Sequence, residues 1–155
     1  VQHIPVLRFQ TEANATAIKA GEFVKWKANG SPYVIPLADA DGVIGTMVGI
    51  VGLAKSDSTQ TAAADGYVDV YLPIPGVVYE IKAKSAAAAN TQAEIDALCG
   101  DRVIIDLTSG NYTLDTAAGE AQTSPFVIVG GNPDISSLYV VLRSGATFLS
   151  DQDLA

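Results

Sequence analysis

The chain has 155 residues, a formal net charge of -8, one cysteine (Cys99) and one histidine (His3). That charge opposes nucleic-acid binding, where Lys and Arg must replace counterions along phosphates, and equally opposes docking on an anionic membrane. One cysteine allows no intrachain disulfide, and one histidine leaves little material for a metal centre or a His-dependent triad.

Val1 to Gln10 is apolar and β-prone, and Pro5 prevents a helix core there. Residues 11–16 form a polar joint. The segment reads either as a first strand packed on its own domain or as an arm that adds to a neighbour by strand pairing. Residues 17–27 give a strand or tight hairpin with Gly21 at a turn, and Asn29-Gly30 is a hairpin signal, since both accept φ > 0. Tyr33 to Leu37 is the return strand, and Asp39 to Gly42 a turn. Val43 to Lys55 carries three glycines among β-branched residues and is expected to be a strand pair, because glycine is costly inside a helix.

Residues 66–82 organise the rest. Val68, Val70 and Leu72 alternate with Tyr67, Asp69 and Tyr71, the period of a strand with one dry face. Pro73 to Gly76 interrupts the ladder, and alternation resumes with Val77, Tyr79 and Ile81. The two runs read as an antiparallel pair or as one strand turning a barrel corner. Thr91 and Glu94 have capping-box spacing, so a helix is expected near 91–99, with Ile95, Leu98 and Cys99 on its apolar face and Gly100 ending it. Strands follow at 102–107, 112–115, 126–129 and 138–143, with turns at 109–111 and 130–134. One helix cannot supply the crossovers of a parallel sheet. The fold class expected is therefore mainly β, a small antiparallel barrel or sandwich, with one short α-helix.

Chemistry is weakly signalled. A lone His3 is a poor ligand, and Cys99 on an apolar helix face is expected to be buried and inert. Asp39, Asp41 and Gly42 begin like a calcium loop but lack its later acidic ligands, and turns require the same residues. Asp151 and Asp153 read as a solvated tail, and Gly130-Gly131 is followed by no helix that would cradle phosphate. No catalytic, metal or cofactor residue is expected.

The order of motifs carries a resemblance. Ala20 to Lys25 is followed by Asn29-Gly30, the Gly-rich Val48 to Ala54, Asp65 to Pro73, and Leu98 to Asp101 with its hairpin. Phe126 to Pro133 and Leu138 to Arg143 complete the series. Over about residues 17–149 the chain resembles the head decoration, or cement, proteins of tailed bacteriophages. The resemblance implies a non-enzymatic β protein, made in the host cytoplasm and bound to the outer surface of the virion capsid. The partners it implies are the major capsid protein and further copies of the chain, most often as a homotrimer, with terminal arms reaching over the shell.

On that footing residues 1–16 are expected to be an extended N-terminal arm and joint, and 17–155 a single β-rich domain. The capsid-contact candidates are His3, Ile4, Pro5, Val6, Leu7 and Phe9, with Ile4, Val6 and Phe9 offered to the neighbour and Leu7 turned the other way. The competing reading is a carbohydrate-binding module or adhesin subunit using Trp26, Tyr33, Tyr67, Tyr71 and Tyr79 as an exposed aromatic face. A small hydrolase lacks the His and Cys partners it would need.

Overall fold

The structure, a computed structural model, describes residues 3–28, 30–38, 49–108, 111–117 and 124–143. The alternating stretch at its centre forms β5 (Gly66–Tyr71), which buries Val68 and Val70 and turns Tyr67, Asp69 and Tyr71 outward. On one side it pairs antiparallel with β1 (Val6–Thr11), and on the other with β4 (Ile50–Ala54). Next come β2 (Phe23–Trp26) and β3 (Val34–Pro36), so the sheet runs β1-β5-β4-β2-β3. Phe9, Ile18, Val24, Val34, Val51, Ala54, Val68 and Val70 form its core, with Trp26 and Leu72 packed against them. Each large apolar side chain among them contributes about 1.5–3 kcal/mol when fully buried.

A second five-stranded sheet holds β6 (Tyr79–Lys82), β7 (Arg102–Thr108), β8 (Asn111–Asp115), β9 (Phe126–Asn132) and β10 (Ser137–Leu142), in the order β6-β10-β9-β7-β8. Between β6 and β7 lies the single α-helix among the described residues, α1 (Gln92–Leu98). Its capping box is complete: Glu94 N–H donates to Thr91 Oγ1 at 3.3 Å, and Thr91 N–H donates to Glu94 Oε2 at 3.0 Å. The alanines before it make only a 3-10 turn at Ala86–Ala88. Ile95 is the buried residue of α1 and lies over Gly131, where an added Cβ would come within 3.1 Å of Ile95 Cδ1 and 2.5 Å of the Ser137 carbonyl.

The architecture is thus mainly antiparallel β with one short helix, as expected, and neither sheet is a closed barrel. Contacts divide the chain into two compact units, one holding described residues 3–37 and 49–75 and the other described residues 38 and 76–143. Two expectations change. The runs flanking Pro73 to Gly76 do not pair with each other: β5 belongs to the first sheet and β6 to the second. Two prolines without donors end the first ladder, and the unit boundary falls between Pro75 and Gly76. Gly130 to Asn132 continues β9 where a turn was expected, and only Pro133–Ile135 turns, as a 3-10 segment. Asn29 of the hairpin signal, the expected turns at 39–42 and 109–110, residues 43–48 of the expected strand pair, and the acidic tail lie outside the described residues.

The two units repeat one topology. In each, strands taken in chain order lie first, fifth, fourth, second, third, and the two edge strands meet at a single parallel bridge. The bridges are Gln10 with Tyr33 and Ala83 with Leu114. Registers match in detail. Gly21 N–H donates to the Ala54 carbonyl at 2.8 Å, and Gly100 N–H donates to the Ile128 carbonyl at 2.8 Å. Ala54 and Ile128 answer by donating to the Glu22 and Asp101 carbonyls. Both glycines have positive φ, at 88° and 94°. Following the ladders outward aligns Phe9 with Ile81, Val24 with Val103, Val34 with Leu114, Val68 with Leu138 and Val70 with Val140, and every one of these is buried. The chain is a tandem pair of one five-stranded unit, and the second copy carries α1 where the first has only a loop.

Gly52 shows how tightly the first sheet is drawn. Its φ is +139°, and an added Cβ would stand 1.9 Å from the Tyr71 carbonyl oxygen. It sits where the β2–β4 register shifts between Val24 and Lys25, so the bulge rests on a residue without a side chain.

Candidate functional site

The N-terminal segment is the expected contact surface, and the structure builds most of it into the first sheet. Val6 to Thr11 pairs with β5 in register, from Val6 opposite Tyr71 to Thr11 opposite Gly66. Even Pro5 is held, since its carbonyl accepts Leu72 N–H at 2.9 Å. The segment expected to run free as an arm is therefore an edge strand from Val6 onward. Hydrophobic pairing explains this: alternation in β1 matches alternation in β5, and the ladder satisfies backbone groups that a free arm would leave to water.

The register decides which side chains remain available. Phe9 lies opposite Val68, is 9% exposed and meets Trp26 edge-on, with ring centroids 5.4 Å apart at 77°. It is committed to its own core, against the expectation that it faces a neighbour. Leu7 shares that side of β1 but lies beyond the core and is 50% exposed. Ile4 is 38% exposed, His3 and Pro5 are exposed, and Val6 is half-buried. The apolar surface on offer is thus Ile4 and Leu7, with Pro5 and Val6 between them.

The outer face of the same ladder carries an electrostatic cluster. Arg8 lies opposite Asp69 and donates Nε–H to Oδ1 at 2.8 Å and an Nη2 proton to Oδ2 at 3.1 Å. Its guanidinium also stands 3.9 Å from the centroid of the Tyr67 ring. The Arg8 hydrogen bond holds the Asp69 carboxyl below the usual carboxylate range and raises Arg8 in turn. Sequence reasoning missed this cluster. Arg8 and Asp69 both fall on the wet phase of their runs, but the register that sets them opposite each other could not be read from either run alone.

An aromatic platform does not assemble from the five expected rings. Trp26 packs on the core, and Tyr79 is buried. Tyr33 donates its hydroxyl to Asp65 Oδ2 at 2.8 Å, which raises its pKa, while Asp65 also accepts Ala13 N–H at 2.8 Å and is held low. Only Tyr67 and Tyr71 share a face, on β5, and cations approach both rings, Arg8 on Tyr67 and Lys55 at 6.0 Å on Tyr71. A sugar stacking on Tyr67 would compete with Arg8 for the ring.

Cys99 was expected on the buried face of α1 and is exposed. The helix ends at Leu98, and Cys99 adopts an extended conformation with φ -61° and ψ 125°, which turns its side chain off the helical face. Among the described residues no three His, Cys, Asp or Glu side chains form a metal-holding group, and no helix is long and apolar enough to cross a membrane.

No family model matches the chain, and no curated protein matches it. A solved structure, the N base of the head fiber gp8.5 in bacteriophage phi29, is similar to it at 13% identity and a TM-score of 0.45, with 93% of this chain and 98% of that chain covered. A likeness of that size leaves the function to be argued from the chain's own residues.

Proposed function

We propose that this protein is a structural, non-enzymatic decoration protein on the outer surface of a tailed-phage head. In this reading it binds the major capsid protein, reinforces its lattice and works as a symmetric oligomer of identical chains, most simply a trimer. It uses no cofactor. The observation that carries the reading is the apolar strip of Ile4, Pro5, Val6 and Leu7, exposed or half-exposed at the start of β1 and just before it, where the strand's other edge is fixed by the β5 ladder. An extended, pre-ordered apolar edge loses little conformational entropy on docking against a protein surface. The motif order that resembles phage cement proteins points to the capsid as that surface. Burying what remains exposed of Ile4 and Leu7 would contribute about 1–3 kcal/mol gross, before ordering costs. Repetition over a shell multiplies a weak contact by avidity.

The test is co-sedimentation with heads assembled without the protein. Wild type is expected to bind them and to raise the temperature at which they open. An Ile4→Asp/Leu7→Asp variant, folded by circular dichroism, is expected to bind at least about tenfold more weakly. Undiminished binding by that variant would remove the strip from the account, and failure of wild type to bind any head would remove the capsid.

A further inference from the structure

The repeated topology gives the chain two equivalent open edges. In the first unit, β1 pairs with β5 on one side, and on the other it touches β3 only at the bridge from Gln10. In the second, β6 pairs with β10 on one side, and on the other the chain touches β8 only beyond its end, at Ala83. Among the described residues no other strand pairs with either edge, so the outward backbone groups of Val6 and Arg8, and of Val78 and Glu80, face no ladder. The opposite edge of the first sheet is a poorer template, since β3 has three residues and ends on Pro36.

Two further observations point to one occupant. Arg8 and Glu80 hold the same position in their units, since Leu7 and Tyr79, the residues before them, lie opposite Val70 and Val140. Both are exposed, and their charges are opposite. A charge on an edge strand ordinarily guards against strand addition. Opposite charges at equivalent places make the two edges a matched pair and leave each edge repelled by its own kind. The apolar residue beside the second edge is also exposed: Val78, at 53%, directly precedes β6.

We propose that β1 of one copy adds to β6 of the next, with Arg8 beside Glu80. The partner is a second copy of this chain, joined head to tail through backbone ladder bonds and one ion pair, with Val78 covered at the contact and Ile4 and Leu7 left to the capsid. Such a contact joins unlike surfaces, so it builds a ring where the rotation closes. The inference rests on the self-association in the proposed function and needs no capsid to be tested.

Sedimentation velocity on the full chain decides it, with folding of each variant checked by circular dichroism. Wild type is expected to associate as concentration rises. Arg8→Glu alone and Glu80→Arg alone are each expected to weaken association at least about tenfold, since each places like charges in the contact. Both losses have a second cause to exclude, because Arg8 also bonds Asp69 and Glu80 accepts a hydrogen bond from Ser137 Oγ. The double variant excludes it, because it keeps both local losses while every contact in a ring of any size again joins opposite charges. Association is therefore expected to return in the double variant. In an equal mixture of the single variants only contacts between unlike variants are restored, and a three-membered ring keeps one like-charged contact, so association returns there only in part. A wild type that stays monomeric, single variants that associate normally, or a double variant that stays apart would each overturn the inference. Normal association in the single variants would leave an oligomer built on another surface, so capsid binding and edge pairing fail separately.

Discussion

Lys27 and Asp106 occupy the same place in their respective units and carry opposite charges. Lys27 pairs with Glu12, and Asp106 pairs with Lys84, which stands where Glu12 stands in the first unit. Each pair clips the end of a first strand to a second strand at the seam, where the edge strands meet. The second seam is the drier one. Asp106 and Asp115 side chains are 13% and 16% exposed, and both contact the Lys84 ammonium. Their hydrogen bonds raise the Lys84 pKa. Lys84→Ala leaves two half-buried carboxylates facing each other and should lower the melting temperature clearly more than Lys27→Ala, as read by differential scanning calorimetry.

The first unit should be the more sensitive to acid and the second, through its buried phenol, the more sensitive to alkali. In the first, Asp57, Asp65 and Asp69 are held below the ordinary carboxylate range by hydrogen bonds from Ala20 N–H, Ala13 N–H and Arg8 respectively. A depressed folded pKa gives stability that is present above the unfolded value and lost as pH falls through the folded one, so this unit weakens below about pH 4. In the second, burial pushes the Tyr79 phenol up to about 12, and Lys84 is raised as well. A raised folded pKa gives stability that is present below the unfolded value and lost as pH rises, so this unit weakens above about pH 10. Tyr79 accounts for about 2–3 kcal/mol of that loss. Hydrogen exchange followed across pH should show protection lost first around β1–β5 in acid and around β6–β10 in alkali.

Glycine substitutions should separate clash from strain. Gly52→Ala places a methyl 1.9 Å from the Tyr71 carbonyl and should destabilise by about 3 kcal/mol or more, or prevent folding. Gly21→Ala and Gly100→Ala meet nothing within 4 Å and carry only the cost of positive φ, about 1–2 kcal/mol. Urea titration of the three variants measures the ranking.

Thr11→Val should stabilise the protein. The Thr11 hydroxyl is buried without a partner among the described residues, and the second unit has Ala83 at the same place. Replacing the hydroxyl by a methyl of similar shape should add about 1 kcal/mol in a denaturant titration. Cys99, exposed at the end of α1, should react fully with a thiol reagent in the folded protein. Cys99→Ala should change stability by less than about 0.5 kcal/mol, where a buried thiol would have cost more.

Fold class was legible because alternation and capping are local. β5 follows from Val68 and Val70, and α1 from Thr91 and Glu94, with no knowledge of partners. What escaped the sequence is relational. The duplication survives in Gly21-Glu22-Phe23-Val24 against Gly100-Asp101-Arg102-Val103, four residues that look like ordinary strand entry. Elsewhere volumes are traded, Gly52 standing where Phe126 stands and Trp26 where Ile105 stands, and α1 lengthens one connection only. The N-terminal segment reads as an arm from its sequence because its apolar character fits a strand at home or abroad equally. Only the register with β5 shows that Phe9 is taken up by its own core and that Ile4 and Leu7 are what remains to offer.

The decisive measurement is the position of this chain in an assembled particle, obtained by electron microscopy of heads carrying it. Density is expected outside the shell, with Ile4 and Leu7 of each copy turned against the major capsid protein. A chain found inside the head, in the tail, or absent from the particle would contradict it.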